Sequence, residues 1–245
     1  MNQSGLINDR TKDRTKRTRA QSRRRDLLEL SGIYALILIV IWTPRPWQFL
    51  LLAIAAIATF YIGYLSFEGL RPMGLSTENL VRSLWAVGCA MVVTVAAIAL
   101  ADQLHTLHIP PTPGLFLRHY GIYAVWAGVQ QIVLQWFFLS RSLRLLPDPT
   151  SAAAFTAGLF AVAHLPNPIL TIITLVFGFA SCYFFLCYRN LVPLALTHAM
   201  LGICIGITIP ASVDHNMRVG IEYLTYADKA ALSNSILSSK PQRPD

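Results

Sequence analysis

Seven apolar stretches alternate with short polar breaks along the chain, at about residues 27–43, 47–67, 81–101, 118–140, 151–165, 168–188 and 191–209. Most are close to the 20 residues that a helix rising 1.5 Å per residue needs to cross a hydrocarbon core of about 30 Å. Open strands in lipid would leave backbone groups unsatisfied, so each stretch is predicted to be a helix. The breaks are chemically plain. Pro44-Arg45-Pro46 ends the first stretch, Pro147-Asp148-Pro149 ends the fourth and Pro166-Asn167-Pro168 ends the fifth, because proline interrupts a helix interior. The fifth stretch, about 15 residues, is shorter than a full span. The pattern predicts an all-α fold, a polytopic transmembrane bundle of about seven helices in one membrane domain, residues 27–210. A basic arm at 1–26, expected to be disordered and cytoplasmic, precedes it, and a polar tail at 211–245 follows.

Composition agrees with this pattern. Hydrophobic residues make up 54% and charged ones 13%, against about 25% charged in soluble domains. Lipid rather than water is the solvent that suits such a chain. The net charge of +8 is concentrated in Arg10, Lys12, Arg14, Lys16, Arg17, Arg19, Arg23, Arg24 and Arg25, all ahead of the first apolar stretch. No aromatic residue is interleaved with them, so nucleic-acid binding is excluded in favour of a cytoplasmic anchor at anionic headgroups. With the N-terminus inside, Arg71, Arg82, Arg141, Arg144 and Arg189 fall on the same side. Trp42-Thr43-Pro44-Arg45 is no small-residue cleavage site, so the first stretch is read as a retained helix. Cys89, Cys182, Cys187 and Cys204 lie within apolar stretches and are expected to be reduced packing residues.

Polar groups inside spans are costly and face the bundle interior, so they mark candidate chemistry. In the fourth stretch Ala124, Gly128, Gln131 and Gln135 follow helical spacing and form one stripe, with Gln130 beside it. The fifth carries Phe160 and His164 four apart, with Ala153 and Ala157 on the same face. The seventh carries His198 among small residues, with Gly202 and Gly206 one and two turns on. From the cytoplasmic ends of their helices, Gln131 lies at about 14 Å, His164 at about 20 Å and His198 at about 10 Å. All three share the middle of the bilayer. Such groups act as interhelical glue worth about 0.6 kcal/mol per hydrogen bond, and glue suffices for Gln135. Two imidazoles at one depth add acid–base capacity near neutral pH.

The order of a polar pair, then Phe160-x-x-x-His164, then His198 on a later helix resembles the CPBP intramembrane proteases. That family includes CAAX prenyl proteases and bacteriocin-processing or bacteriocin-immunity (Abi) proteins, and its motifs are Glu-Glu-x-x-x-Arg, Phe-x-x-x-His and His-x-x-x-Asn. The resemblance covers about residues 115–210. It implies hydrolysis of a peptide bond in or at the membrane, with the glutamates and first histidine activating water and the last motif holding the oxyanion. Gln130 and Gln131 stand at the glutamate pair, Gln135 at the arginine and Gly202 at the asparagine, while Phe160, His164 and His198 match. A carboxamide is no base at neutral pH, so the base role falls to His164, with Gln130 or Gln131 positioning water and His198 polarising the carbonyl.

Two alternatives stay open: a catalytically inactive relative that binds a peptide or confers immunity, and a carrier or scaffold whose polar layer is a binding site. Asp214-His215 is a further acid–histidine candidate if the tail folds back. No cofactor is expected, and no metal site, since two histidines lack the third protein ligand of catalytic zinc. The expected partners are membrane lipids and a membrane-associated peptide or protein substrate. The expected location is a bacterial inner membrane.

Overall fold

The computed structural model describes residues 3–67 and 69–227, with side chains from residue 20 onward. Residues 228–245 of the expected polar tail lie outside the described residues. The helices, in order, are α1 (Gln3–Trp42), α2 (Trp47–Leu65), α3 (Leu70–Met73), α4 (Leu80–Ser83), α5 (Trp85–Gln103) and α6 (Pro113–Ile132). A π-helical turn, Val133–Leu139, joins α6 to α7 (Ser140–Leu145), and α8 (Pro149–Val162), α9 (Pro168–Tyr188), α10 (Leu191–Thr208), α11 (Ala211–Asp214) and α12 (Gly220–Leu224) follow. The described residues contain no strand.

The surface is inverted relative to that of a water-soluble protein. Ile57, Val92, Val125 and Val176 are largely exposed on the outside, while Gln131, Gln135, Arg141 and Asn190 are fully buried. Five long helical stretches, α2, α4–α5, α6–α7, α9 and α10, are long and apolar enough to cross a membrane, and α8 is a shorter apolar helix. The chain is therefore an integral membrane protein with an all-α, polytopic bundle. α10 packs against α5 and α6, α8 against α9, and α1 against α2. Gly178 of α9 sits against Ala157 of α8 so closely that a Cβ there would come within 3.3 Å of the Ala157 backbone. Small residues thus bring two backbones together where lipid offers no hydrophobic drive.

One end of the bundle carries the arginines. Arg141 is 1% exposed. Its Nε and Nη2 donate to Glu29 Oε2 at 3.0 and 2.7 Å, and its guanidinium lies 3.7 Å from the Phe137 ring centroid. Arg144 donates to both carboxylate oxygens of Asp26 at 2.9 and 2.7 Å, and Arg23 donates to the Leu145 carbonyl at 2.9 Å. These pairs draw residues 20–26 into α1, so that part of the arm is helical and docked rather than disordered. Charge placed beside a ring of arginines finds partners and stays ordered. Arg189 lies at the same end, since Leu191 N–H bonds the Gly74 carbonyl at 2.9 Å and Asn190 Nδ2 bonds Ser76 and Glu78 carbonyls.

α8 begins under Asp148, which accepts from Ser151 N–H at 2.9 Å and Ser151 Oγ at 2.7 Å. The Ser151 hydroxyl and backbone N–H hold the Asp148 carboxyl below the usual carboxylate range. The helix has 14 residues, about 21 Å of rise, and so ends inside the bilayer. Non-helical backbone at that depth needs protein cover, and the tail supplies it. Gly220 N–H bonds the Leu165 carbonyl at 2.8 Å, and Asn167 Nδ2 donates to the Asp214 and Arg218 carbonyls at 2.8 and 3.1 Å. Gly220, at φ +56°, lies against the Ile41 carbonyl at the end of α1, where a Cβ would overlap it.

Breaking a buried ion pair leaves one charge uncompensated. Arg141→Ala and Glu29→Ala are each expected to lower unfolding free energy by about 3–5 kcal/mol, measured by SDS or urea titration in mixed micelles. Arg71→Ala, at a pair whose side chains are 76% and 53% exposed, should cost under about 1 kcal/mol in the same titration.

Candidate active site

Three helices, α6, α9 and α10, and the turn after α8 converge on one cavity of about 950 Å³. Gln130, His164 and His198 all line it, joined by Tyr123 and Gly202, and α9 contributes Thr174 and Phe177. Among the described residues no carboxylate lines it. A second, apolar cavity of about 230 Å³ between α1, α2, α6 and α8 also reaches Gln130 and His164. Those two residues therefore stand where a wide polar space meets a narrow apolar one.

The two adjacent glutamines point differently, as a rotation of about 100° per residue requires. Gln130 faces the cavities, and no described group hydrogen-bonds its amide. Gln131 is fully buried and does not line the cavity. Its Oε1 accepts from Gln135 Nε2 at 3.2 Å, and its Nε2 lies 3.2 Å from His198 Nδ1. Gln135 Nε2 also donates to Ser181 Oγ of α9 at 3.2 Å. With the Gln131 oxygen occupied by Gln135, its amide N–H faces His198 Nδ1, which accepts and leaves the ring proton on Nε2. The His198 ring is further tethered to α6 through the Ala127 carbonyl. The π turn after Gln131 assists: Leu134, Gln135, Phe137, Phe138 and Leu139 are all buried, and π turns recur at functional sites.

His164 is held differently. Its Nδ1 lies 2.7 Å from the Phe160 carbonyl, so that nitrogen donates and Nε2 keeps a free lone pair. Phe160 packs edge-on against both histidines, with ring centroids 4.8 Å from His164 and 5.9 Å from His198. Phe177 covers His198 at 5.0 Å. Gly202 stands one turn beyond His198, and a Cβ there would overlap the Tyr123 hydroxyl.

Asp214 and His215 do not pair with each other. His215 Nδ1 bonds the Tyr223 carbonyl at 3.1 Å and its ring stacks between Tyr223 and Tyr226. Asp214 accepts from Asn216 N–H at 2.9 Å instead. Burial pushes the Asp214 carboxyl above its ordinary range, against the pull of the Asn216 and Met217 backbone N–H groups. Among the described residues no three His, Cys, Asp or Glu side chains are grouped to hold a metal ion.

The sequence stripe located Gln131, Gln135, His164 and His198 but missed Tyr123, Phe177 and Ser181. Tyr123 was within reach: it lies seven residues before Gln130, two turns along one face. Ser181 was within reach too, since Thr171, Thr174, Gly178 and Ser181 follow helical spacing in the sixth stretch, whereas Phe177 is one apolar residue among many there.

No curated protein and no solved structure matches the chain. A family model does match, described as type II CAAX prenyl endopeptidase Rce1-like, over residues 131–204. That stretch is less than half of the chain and holds Gln131, Gln135, Phe160, His164, His198 and Gly202. The match to the Rce1-like model over residues 131–204 agrees with the CPBP/CAAX protease resemblance that the motifs carry.

Proposed function

We propose that this chain is an intramembrane endopeptidase of the CPBP/CAAX type, cleaving a membrane-associated peptide or protein in the cavity between α6, α9, α10 and the turn after α8. The observation that carries the reading is His164. Its Nδ1–H is fixed on the Phe160 carbonyl, and its Nε2 is free at the wall of a roomy cavity that also holds Gln130 and His198.

In this reading a water bound by the Gln130 amide loses a proton to His164 Nε2 and adds to the scissile carbonyl carbon. The carbonyl electron pair moves onto its oxygen, where the His198 Nε2–H competes away from Ala127 to donate. Collapse of the tetrahedral intermediate breaks the C–N bond, and the leaving amine takes the proton from His164. Peptide and water are thereby converted to acid and amine with no other reactant. General acid–base work by histidine accounts for about 10²–10⁴-fold of rate. Gln131 and Gln135 act through His198 by fixing its ring, and so are positioning residues.

That no carboxylate among the described residues lines the cavity favours one other reading. A relative without a strong base retains a peptide in the same space without cleaving it, as a binding or immunity protein. A solute carrier finds no comparable support.

Purified protein in lipid nanodiscs separates the two readings. Against membrane-tethered peptides, wild type should cleave and His164→Ala should lose about 10²-fold or more in kcat. Peptide retention with no product from either protein would leave only the binding reading. Gln130→Glu places a carboxylate in the cavity and is expected to raise kcat by about 10-fold or more. Gln131→Glu buries one beside His198 and should lower the unfolding midpoint instead; equal effects at the two positions would contradict their opposite orientations.

A further inference from the structure

We infer that Tyr123 is a catalytic hydrogen-bond donor, supplying from α6 the oxyanion contact that the missing side chain at Gly202 cannot supply from α10. The inference rests on the protease reading and names a residue outside the 131–204 match.

The first observation is one of space. A Cβ at Gly202 would overlap the Tyr123 hydroxyl, with the ring's Cζ and Cε1 close behind. The phenol therefore fills the volume that a side chain one turn after His198 would occupy. Glycine at 202 is what admits it, since any larger residue meets the ring.

The second is hydrogen bonding. Tyr120, one turn earlier on α6, shows how a structural tyrosine behaves here: its hydroxyl donates to the Gly206 carbonyl at 2.9 Å. The Tyr123 hydroxyl makes no hydrogen bond to a described residue, although the side chain lines the cavity. A donor set in a membrane-embedded wall and left without a protein acceptor is available to a ligand.

The third is geometry toward the reaction. Gly202 follows His198 by four residues, about 6 Å of helical rise. Two donors one turn apart can converge on a single oxygen, since each hydrogen bond spans about 2.7–3.1 Å. In the addition step the electron pair displaced from the carbonyl lands on an oxygen held between His198 Nε2–H and Tyr123 Oη–H. A phenol stays protonated at neutral pH, so it donates without a proton leaving the site. His164 alone receives the water proton.

Tyr123→Phe tests this directly, because it removes the hydroxyl and keeps the ring against Gly202. Assayed in nanodiscs on tethered peptides, it should lower kcat by about 10²–10³-fold with KM and unfolding midpoint unchanged. A second variant checks the shared volume: Tyr123→Ala with Gly202→Asn should recover part of the kcat that Tyr123→Ala alone loses. Cleavage by Tyr123→Phe at the wild-type rate overturns the inference and leaves the protease reading intact. A kcat loss that tracks a lowered unfolding midpoint assigns Tyr123 to packing, and likewise overturns it. Wild type inert on every tethered peptide, and indistinguishable from His164→Ala, removes the protease reading and this inference together.

Discussion

Between Ser181, Gln135, Gln131 and His198 runs a chain of three hydrogen bonds, each 3.2 Å long, in the middle of a bundle whose outer surface is apolar. Lipid offers these groups no alternative partners, so each amide must be matched by another side chain or left at a cost of about 1–3 kcal/mol. That requirement fixes three helices at once: α6 and its π turn carry the glutamines, α9 the serine and α10 the histidine. Everything the cavity does depends on this tie. If Gln131 released His198, only the Ala127 carbonyl would hold the ring to α6. The tie is incomplete in one respect, since Gln135 Oε1 is buried without a partner. Neutral amides tolerate such an orphan far better than carboxylates would.

The fold was legible in the sequence because membrane spans are long, periodic and punctuated by proline. The second to seventh apolar stretches correspond closely to α2, α5, the α6–α7 rod, α8, α9 and α10, and the first to the C-terminal part of α1. The side of the arginines was legible too: Arg141, Arg144 and Arg189 gather around one polar cavity at one end. Their partners were hidden. Nothing in the spacing of Glu29 and Asp26 relative to residues 112 and 118 positions later announces a buried pair, and compositional rules read a charged arm as disordered. Long-range complementarity is a tertiary fact. The tail was hidden for the same reason. Its role as a cover appears only once α8 is seen to stop short of the far side of the bilayer.

Within the site, helical spacing identified which residues share a face but not which way that face turns. Gln130 and Gln131 are equivalent in a motif and opposite in space: one reaches the cavity, the other the interior. The π turn at Val133–Leu139 adds to the ambiguity, because a stripe drawn on ideal α spacing drifts once the turn widens. Glycine was the least legible of all. Gly202 read as a lost side chain, whereas in the folded chain it is the opening through which Tyr123 enters.

The glutamine pair and the glycine then have a common physical logic. Replacing two carboxylates by amides removes charge that a membrane interior penalises by several kcal/mol per ion, and lets position 131 serve as neutral scaffold. The same exchange removes the strongest base from the cavity and leaves its developing negative charge to be met by donors alone. Uncharged donors fixed in a low-dielectric wall are worth more than the same groups in water, so a site poor in base strength gains most from a well-aimed phenol. A lone donor on His198, contested by the Ala127 carbonyl, would leave that charge half-met. Tyr123 and His198 together close the oxygen's coordination from two helices that Gln131 already holds in register, which makes the amide tie and the phenol two parts of one arrangement.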